Sequence, residues 1–385
     1  MRFIAPLAEI LPQLLVAFIL AAVAALVVTP LVRRFAVRMR MVDRPGHRRI
    51  NLRPVPRGGG LAVAMAFLLV ALAFSILNEI FHFVRTPGVL EGGELIALFG
   101  GGAAAAGLGM LDDYLDLRAR WQFGGQVALA VGAVALGISI VSIQNPVGGN
   151  MVFFPAPVAA VLTVLWIVGM INSVNFIDGL DGLSSGIGLI AAVTLGTLSL
   201  TTQVGQPYIA VLCFVLAGSL AGFLRWNFHP ARIFAGTGGT MFLGYTLAVL
   251  AILGSAKVAV ALLVLGIPII DTFWIIVRRV VRGRSPFSPD RGHIHHRLLD
   301  LGLSHRQTVL VIYAVCIGLG GLSLVLSAEN RLYAFIAVLL GSGAVLLAIT
   351  RVGVDPDSGD SGGFDASAYD GSRKEPVGER EPSLR

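Results

Sequence analysis

A pair of adjacent aspartates, Asp112 and Asp113, stands at the end of a long apolar run, and Asp116 follows shortly after. If a helix continues through this segment, Asp112 and Asp116 lie on the same helix face. Adjacent carboxylates repel each other and are stabilised by a cation or by a rise in pKa. Because Mg²⁺ binds oxygen ligands of this kind, the pair indicates a metal site. The alternative is a solvated helix end whose charges share no function.

A second polar group repeats at every third position over residues 172–181. Its members are Asn172, Asn175, Asp178 and Asp181. The glycines that follow the two aspartates let the backbone bend and approach a ligand closely. An acidic, glycine-containing loop without any basic residue suits metal or sugar binding. The alternative is an ordinary turn between two helices built on Asp-Gly chemistry.

Histidine and arginine side chains are concentrated in a third segment. Three of the seven histidines and two arginines lie close together: Arg291, His293, His295, His296 and Arg297. Such donors can bind a diphosphate or a sugar. A zinc site is a competing interpretation, although no cysteine lies nearby and a further ligand would have to come from elsewhere. A third interpretation is a solvated basic loop.

A fourth segment places Arg57 before three glycines at the start of an apolar run. Backbone amides of a glycine run that enters a helix, together with Arg57, can form a cradle for an anion. A basic segment at this place can equally contact acidic lipid headgroups.

The chain that must position these residues is far more apolar than a soluble protein. Of its 385 residues, 56% are hydrophobic and 13% are charged, whereas soluble domains average about 45–50% and about 25%. This excludes a soluble enzyme and predicts an all-α polytopic membrane protein, because an open strand would leave backbone groups unpaired in lipid. The apolar runs predict about eleven transmembrane helices, at roughly 11–32, 60–81, 95–111, 123–143, 156–172, 184–202, 208–224, 239–254, 257–277, 308–327 and 332–350.

The basic residues predict the orientation of these helices. The arginine-rich segment 33–57 is assigned to the cytoplasm, which leaves the amino terminus outside. Alternation from there places all but four of the 29 Lys and Arg residues on the inner side; the four are Arg2, Arg85, Lys257 and Arg331. All four polar segments then lie on the cytoplasmic face, beside the lipid. This combination fits transfer of a phosphate-bearing group between a soluble nucleotide and a membrane lipid.

The chain is expected to consist of two regions. Residues 1–350 form the multi-spanning membrane domain. Residues 351–385 are rich in Ser, Gly, Asp, Glu and Pro and are predicted to be a disordered cytoplasmic tail. Both cysteines, Cys213 and Cys316, lie in apolar runs and are predicted to be buried and unpaired.

The four motifs together resemble those of the polyprenyl-phosphate N-acetylhexosamine-1-phosphate transferases, glycosyltransferase family 4. The matching segments are PVPRGGG from Pro54, the pair at Asp112, NSVNFIDGLDG from Asn172 and PDRGHIHHRL from Pro289. The histidine segment is most similar to the undecaprenyl-phosphate N-acetylglucosamine-1-phosphate transferases. The resemblance implies transfer of N-acetylglucosamine-1-phosphate from UDP-N-acetylglucosamine to undecaprenyl phosphate. UMP is released, and synthesis of a cell-envelope glycan begins.

The resemblance also implies a Mg²⁺ cofactor and a role for each site residue. Catalytic roles are implied for Asp112, Asp113, Asp178 and Asp181, and metal binding for Asn175 and Asp113. Substrate binding is implied for Arg57, Asn172, His293, His295, His296 and Arg297. The implied partners are a UDP-N-acetylhexosamine, a polyprenyl phosphate and the bacterial inner (plasma) membrane, with no nucleic acid. A homodimer stays open.

Two positions depart from the family pattern. Thr237 stands where the family has an aspartate associated with metal binding, and a neutral hydroxyl is a much poorer Mg²⁺ ligand than a carboxylate. Gln122 stands where lysine is common, with Arg118 and Arg120 close by. The alternative function is therefore a catalytically weakened or silent relative that binds polyprenyl phosphate. A transporter is a third interpretation, but transporters place their functional charges near the bilayer midplane, whereas Asp271 is the only acidic residue well inside a predicted helix.

Overall fold

Helices make up almost all of the described chain. The computed structural model describes residues 7–43, 54–84, 92–145, 150–202, 204–253, 258–281, 283 and 293–351. The chain divides into two units, Met1–Ala344 and Val345–Arg385. In the second unit the description covers the end of the last helix, as far as Arg351. The rest of the predicted tail, and residues 284–292 before the histidines, lie outside the described residues.

Thirteen helices and two short antiparallel hairpins are seen within those ranges. The helices are α1 Leu7–Arg38, α2 Gly60–Phe81, α3 Gly92–Leu115, α4 Ala119–Ala135, α5 Ala156–Ile177, α6 Leu183–Ser199, α7 Pro207–Asn227, α8 Gly236–Ile252, α9 Val258–Val264, α10 Gly266–Val281, α11 Ile294–Asp300, α12 His305–Val325 and α13 Ala328–Arg351. The first hairpin pairs β1 Val42–Asp43 with β2 Val55–Pro56, and the second pairs β3 Ser142–Gln144 with β4 Met151–Phe153.

Each predicted apolar run overlaps a helix, but fewer helices than expected are long enough to cross a membrane. Among the described residues, six helices are long and apolar enough to cross a membrane, namely α1, α2, α3, α5, α7 and α12. The pair α9 and α10 makes a seventh only if it counts as one broken span. The apolar helices α6 and α8 have 17 residues each. The protein is a multi-pass helical membrane protein, and eleven crossings are not confirmed.

Two predicted spans differ in shape from the expectation. The predicted helix 123–143 ends at Ala135, because Gly137 adopts a left-handed conformation with φ +100° and the chain then becomes extended. The predicted helix 257–277 is bent by 78° between α9 and α10. Pro268 lies just after the break, and it has no N–H to continue the helical hydrogen bonds across the bend.

Close packing at glycines brings three helices together at α8. From Gly238 to Ile252 every residue of α8 is buried. A Cβ atom at Gly60 would lie 1.8 Å from the Cα of Gly239, and one at Gly109 would lie 2.4 Å from a backbone oxygen of α8. The backbones of α2 and α3 therefore pack directly on the first turns of α8. This packing gathers the start of α2, the end of α3 and the start of α8 in one place.

The loop between α5 and α6 is held by α12. Gly182 ends this loop in a left-handed conformation, with φ +78°. The hydroxyl of Tyr313 on α12 donates a hydrogen bond to the carbonyl oxygen of Gly182. A Cβ atom at Gly186 would lie 1.9 Å from the same hydroxyl. The missing side chain at Gly186 thus lets α12 approach the loop that carries Asp178 and Asp181.

Candidate active site

A cavity of about 680 Å³ opens where the ends of α3, α5, α7 and α8 meet the first hairpin. Six of the predicted site residues line it: Arg57, Asp113, Asn175, Asp178, Asp181 and His296. Thr237, which departs from the family pattern, lines it as well, together with four further polar residues: Asp43, Asn227, His229 and His305. The structure therefore brings together residues from all four sequence motifs.

Asp113 is fixed by the beginning of α8. Its two carboxylate oxygens accept the backbone N–H groups of Thr237 and Gly238, at 2.9 and 3.0 Å. A carboxylate is favoured here because the first N–H groups of a helix have no partner within the helix. A Cβ atom at Gly236 would lie 2.5 Å from Asp113 Oδ2, so glycine is needed for this approach. A carboxylate has about four acceptor sites, so Asp113 keeps capacity for a further ligand.

Asp178 follows the last residue of α5 and is half-buried in the cavity wall. The hydroxyl of Ser184 donates a hydrogen bond to its Oδ1. Burial raises the pKa of Asp178 to about 7; the neighbouring carboxylates Asp113 and Asp181 add to the rise, and the Ser184 hydroxyl opposes it. A carboxyl group whose ionised form is opposed by neighbouring carboxylates favours binding of a cation.

Asn175 connects the end of α5 with the beginning of α8. Its Oδ1 accepts a hydrogen bond of 2.8 Å from the hydroxyl of Thr240. Asn175 lies one helical turn before Asp178, so both side chains are presented to the same wall. An amide oxygen and two nearby carboxylates are the oxygen donors that a hard divalent cation prefers.

Asp181 forms a cluster with two histidines that the sequence did not single out. His229 Nδ1 lies 2.7 Å from Asp181 Oδ2, and the backbone N–H of Asp181 donates to His305 Nε2 at 2.8 Å. The two imidazole rings stack with their centroids 4.2 Å apart. One ligand atom from each residue lies within 4.8 Å of the others, a donor set that suits a transition metal. Hydrogen bonds already connect the three residues without an ion.

Arg57 reaches the cavity from the first hairpin. Its guanidinium forms an ion pair with Asp43 on the paired strand. The neighbouring glycine amides do not form the expected cradle, because the N–H groups of Gly59 and Gly60 each donate to a backbone oxygen before α8, Phe234 O and Ala235 O, at 2.8 Å. Arg57 lines the cavity at this corner.

Two of the predicted residues hold neighbouring helices and are absent from the cavity lining. Buried Asp112 accepts the backbone N–H of Leu117 at 3.0 Å and a hydrogen bond from the amide of Gln122. It therefore fixes the turn between α3 and α4, and Gln122 is its direct partner. Asn172 donates to Gln126 on α4 at 2.6 Å. Of the adjacent pair Asp112 and Asp113, it is Asp113 that lines the cavity.

The histidine segment is divided between the cavity and the interior. His296 lines the cavity, whereas His293, His295 and Arg297 do not. His295 is fully buried, and burial together with the neighbouring imidazoles lowers its pKa well below the usual range. His295 is therefore neutral at physiological pH. Asp290 and Arg291 lie outside the described residues.

His229 and His305 were missed because their positions carry no local pattern. His229 follows the end of α7, and His305 begins α12 directly after Ser304, whose hydroxyl caps that helix. Both stand at the ends of apolar runs. A search for every histidine at such an end on the predicted inner side would have found them.

The cavity combines two kinds of binding group. Asp113, Asp178 and Asp181 provide carboxylate oxygens, and Arg57 and His296 provide donors for an anion. A site of this kind neutralises a phosphate group by side-chain donors and by a cation held between carboxylates. Fold and site together define a helical membrane protein with a polar cavity whose lining suits a phosphate-bearing ligand.

Comparison with known proteins identifies the family. Residues 95–255 match the family described as glycosyl transferase family 4. A Bacillus subtilis protein named "Probable undecaprenyl-phosphate N-acetylglucosaminyl 1-phosphate transferase" is 36% identical over 319 residues, which cover 79% of this chain and 82% of the relative. A decaprenyl-phosphate N-acetylglucosaminephosphotransferase of Mycobacterium leprae is 36% identical, over 76% of this chain and 78% of the relative. An undecaprenyl-phosphate alpha-N-acetylglucosaminyl 1-phosphate transferase of Yersinia pestis is 30% identical, over 73% and 75%.

The chain therefore belongs to glycosyl transferase family 4, the polyprenyl-phosphate N-acetylhexosamine-1-phosphate transferases, and it is an enzyme of the transferase class. The matched segment runs from α3 to α8. It contains Asp113, Asn175, Asp178 and Asp181, and it ends before the histidine segment.

Proposed function

We propose that this chain transfers N-acetylglucosamine-1-phosphate from UDP-N-acetylglucosamine to undecaprenyl phosphate, at the cytoplasmic face of a bacterial inner membrane. An oxygen of the lipid phosphate attacks the phosphorus that carries the sugar, and the bond from that phosphorus to UMP breaks. The products are the lipid diphosphate sugar, which begins a cell-envelope glycan, and UMP. The observation that carries the proposal is the cavity in which Asp113 and Asp178 face Arg57 and His296.

The donor set of the cavity fits a Mg²⁺ ion. Asp113, Asp178 and Asn175 supply oxygen atoms of the type that Mg²⁺ prefers, and these residues would hold it. The ion would supply neutralisation of the diphosphate charge. Asp113 is pre-positioned for this role by its two bonds to α8.

The protein groups around the substrate have distinct tasks in this proposal. Arg57 and His296 bind phosphate oxygens, since both line the cavity and both can donate hydrogen bonds to an anion. Asp178 accepts the proton of the lipid phosphate. Its carboxylate lines the same cavity as Arg57 and His296, where the phosphate would be bound. Asp181 contributes by orienting His229.

Thr237 supports a second candidate function, a weakened or silent relative that binds polyprenyl phosphate. Thr237 lines the cavity, at the position where the family motif has a carboxylate. Removal of one carboxylate weakens binding of a divalent cation. A silent relative would bind the lipid and release no UMP.

A turnover assay separates the two functions. The purified full-length protein in detergent is given radiolabelled UDP-N-acetylglucosamine or UDP-N-acetylgalactosamine, with Mg²⁺ or EDTA. Undecaprenyl and decaprenyl phosphate are compared as acceptors, because the relatives' names contain both. We expect Mg²⁺-dependent UMP release and a labelled lipid. Lipid binding without labelled lipid from either sugar would instead establish the silent relative.

The matched pair Asp113→Asn and Asp116→Asn tests the site within that assay. Both changes remove one carboxylate near the end of α3. Asp113 binds α8 in the cavity, whereas Asp116 is exposed and left-handed, with φ 47°, a conformation that asparagine tolerates well. Asp113→Asn should abolish turnover, and Asp116→Asn should leave it unchanged.

A further inference from the structure

Asp271 is a buried carboxylate that the reaction proposed above does not use. It lies on α10, beyond the bend, and is 9% exposed. Its Oδ2 lies 2.7 Å from His293 Nδ1, and its Oδ1 accepts the backbone N–H of Ile294 at 2.9 Å. One carboxylate thus holds both the ring before α11 and the first N–H group of α11. A buried charge with such partners is costly to disturb, because removal of one leaves the other unpaired.

The hydrogen bond to Asp271 fixes the ring of His293. With Nδ1 beside a carboxylate oxygen, Nδ1 carries the proton and the ring cannot turn without losing the bond. The His293 ring stacks on the ring of His295, with centroids 5.4 Å apart and an angle of 14° between planes. By fixing the His293 ring, Asp271 therefore also restricts the orientation of the fully buried His295 ring that stacks on it.

His295 in turn contacts the acidic loop and the cavity. A Cβ atom at Gly179 would lie 2.2 Å from His295 Nε2, so the ring packs directly on the backbone between Asp178 and Asp181. The ring centroid of His295 is 4.4 Å from that of His296, which lines the cavity. A continuous set of contacts thus joins Asp271 to the cavity wall.

We propose that Asp271 is a positioning residue of the transferase site. Acting through His293 and His295, it fixes the backbone at Gly179 and the place of His296. The proposal rests on the transferase function proposed above, and it assigns Asp271 no contact with substrate. Without the carboxylate, the stacked rings of His293 and His295 can shift. His296 and the backbone at Gly179 are then displaced, and the nucleotide-sugar binds less tightly.

The kinetic test uses the full-length protein in detergent with both substrates varied. Asp271→Ala should raise the KM for UDP-N-acetylglucosamine about tenfold, the order of loss expected when a displaced His296 no longer donates a hydrogen bond to a charged phosphate. The KM for polyprenyl phosphate should stay unchanged. Asp271→Asn can still accept from Ile294, and its amide can donate to His293 Nδ1 once that ring carries its proton on Nε2, so it should recover most of the loss. Simple loss of folded protein lowers the maximal rate and leaves both KM values unchanged, and that result overturns the proposal.

A double variant tests whether the effect runs through His293. If it does, the double variant Asp271→Ala with His293→Ala has the same KM as the worse of the two single variants. If the two effects are independent, the fold-changes in KM multiply. Multiplied effects would overturn the proposal. Should Asp271→Ala not fold, His293→Ala carries the same prediction. Asp300→Asn, at the exposed end of the same helix α11, is the control and should change neither KM.

Hydrogen–deuterium exchange separates failure of this inference from failure of the proposed function. Asp271→Ala should speed exchange in residues 294–300 and 178–182 about tenfold, because both segments lose a packed support. This readout needs no turnover. If the wild-type protein transfers no sugar and the exchange still rises, the function is wrong and the contact path is right. Unchanged exchange in both segments overturns the contact path whatever the activity.

Discussion

Replacing Asp178 by asparagine is expected to abolish transfer and, at the same time, to stabilise the folded protein above pH 7. Asparagine has nearly the same shape and keeps the oxygen that accepts the Ser184 hydroxyl. It removes the negative charge that burial and the carboxylates of Asp113 and Asp181 make unfavourable. The substitution therefore separates what the charge does for the reaction from what it costs the fold.

The size of the effect follows from the pKa. An aspartate titrates near pH 3.9 in an unfolded chain, and Asp178 titrates at about 7 in the folded protein. The folded state holds the proton more tightly, so stability is complete below about pH 4 and is lost as the pH rises to about 7. Three pKa units at 1.36 kcal/mol each give a cost of roughly 4 kcal/mol at most above pH 7. Asparagine avoids this cost at every pH.

The measurement is thermal unfolding of detergent-solubilised protein with EDTA, between pH 5 and pH 8, followed by intrinsic tryptophan fluorescence. The advantage of Asp178→Asn over wild type should be about a third of its full size at pH 5 and should reach its full size by pH 8. Added Mg²⁺ should stabilise the wild type at pH 8 and leave the variant unchanged. Asp116→Asn, which removes an exposed carboxylate, controls for net charge.

Two results would refute the reasoning. If Asp178→Asn is no more stable than the wild type at pH 8, the charge of Asp178 is not opposed by burial. If the variant keeps full turnover, Asp178 does not serve the reaction. An advantage that is equal at pH 5 and pH 8 points to packing in place of charge.

Three further substitutions test the close contacts and the composition of the site. Gly179→Ala should cost about 1–3 kcal/mol and lower turnover, because the new Cβ would lie 2.2 Å from a buried imidazole; Gly169→Ala, on the preceding helix α5, meets no atom within 4 Å and should be neutral in denaturant unfolding. Gly60→Ala should be more damaging still, since its Cβ would lie 1.8 Å from the backbone of α8, whereas Gly107→Ala, in open space, should express and unfold like the wild type. Thr237→Asp should raise turnover about tenfold and lower the Mg²⁺ concentration needed for half of the maximal rate; unchanged turnover and Mg²⁺ requirement would show that a carboxylate at this position contributes nothing.

The sequence could predict which segments meet at the site but not which side chain of a pair enters the cavity. Neighbouring residues on a helix point about 100° apart, so Asp112 and Asp113 look equivalent in the sequence. The packing of Gly109 on α8 decides between them: it turns Asp113 toward the helix N-terminus and leaves Asp112 to cap the turn before α4. That choice depends on a contact between residues far apart in the chain.

The count of eleven spans is not confirmed, for a physical reason that hydropathy cannot detect. The surface of an apolar helix can be buried equally well against lipid and against other apolar helices. Helix α8 is surrounded by protein along almost its whole length and has only 17 residues, and α6 is equally short. Their composition matches that of a membrane span, whereas their surroundings are those of a core. Orientation remains a prediction from the arginine distribution.

Thr237 shows why the geometry of the site can survive a change in its composition. The backbone N–H of Thr237, not its side chain, holds Asp113 at 2.9 Å, and Gly238 supplies the second bond. Any residue except proline could supply that N–H. In the proposed function, threonine in place of the family's aspartate therefore removes a metal ligand while leaving Asp113 and α8 in place. A weakened enzyme, whose remaining carboxylates bind the metal less tightly, follows more directly from this arrangement than a site that has lost its shape.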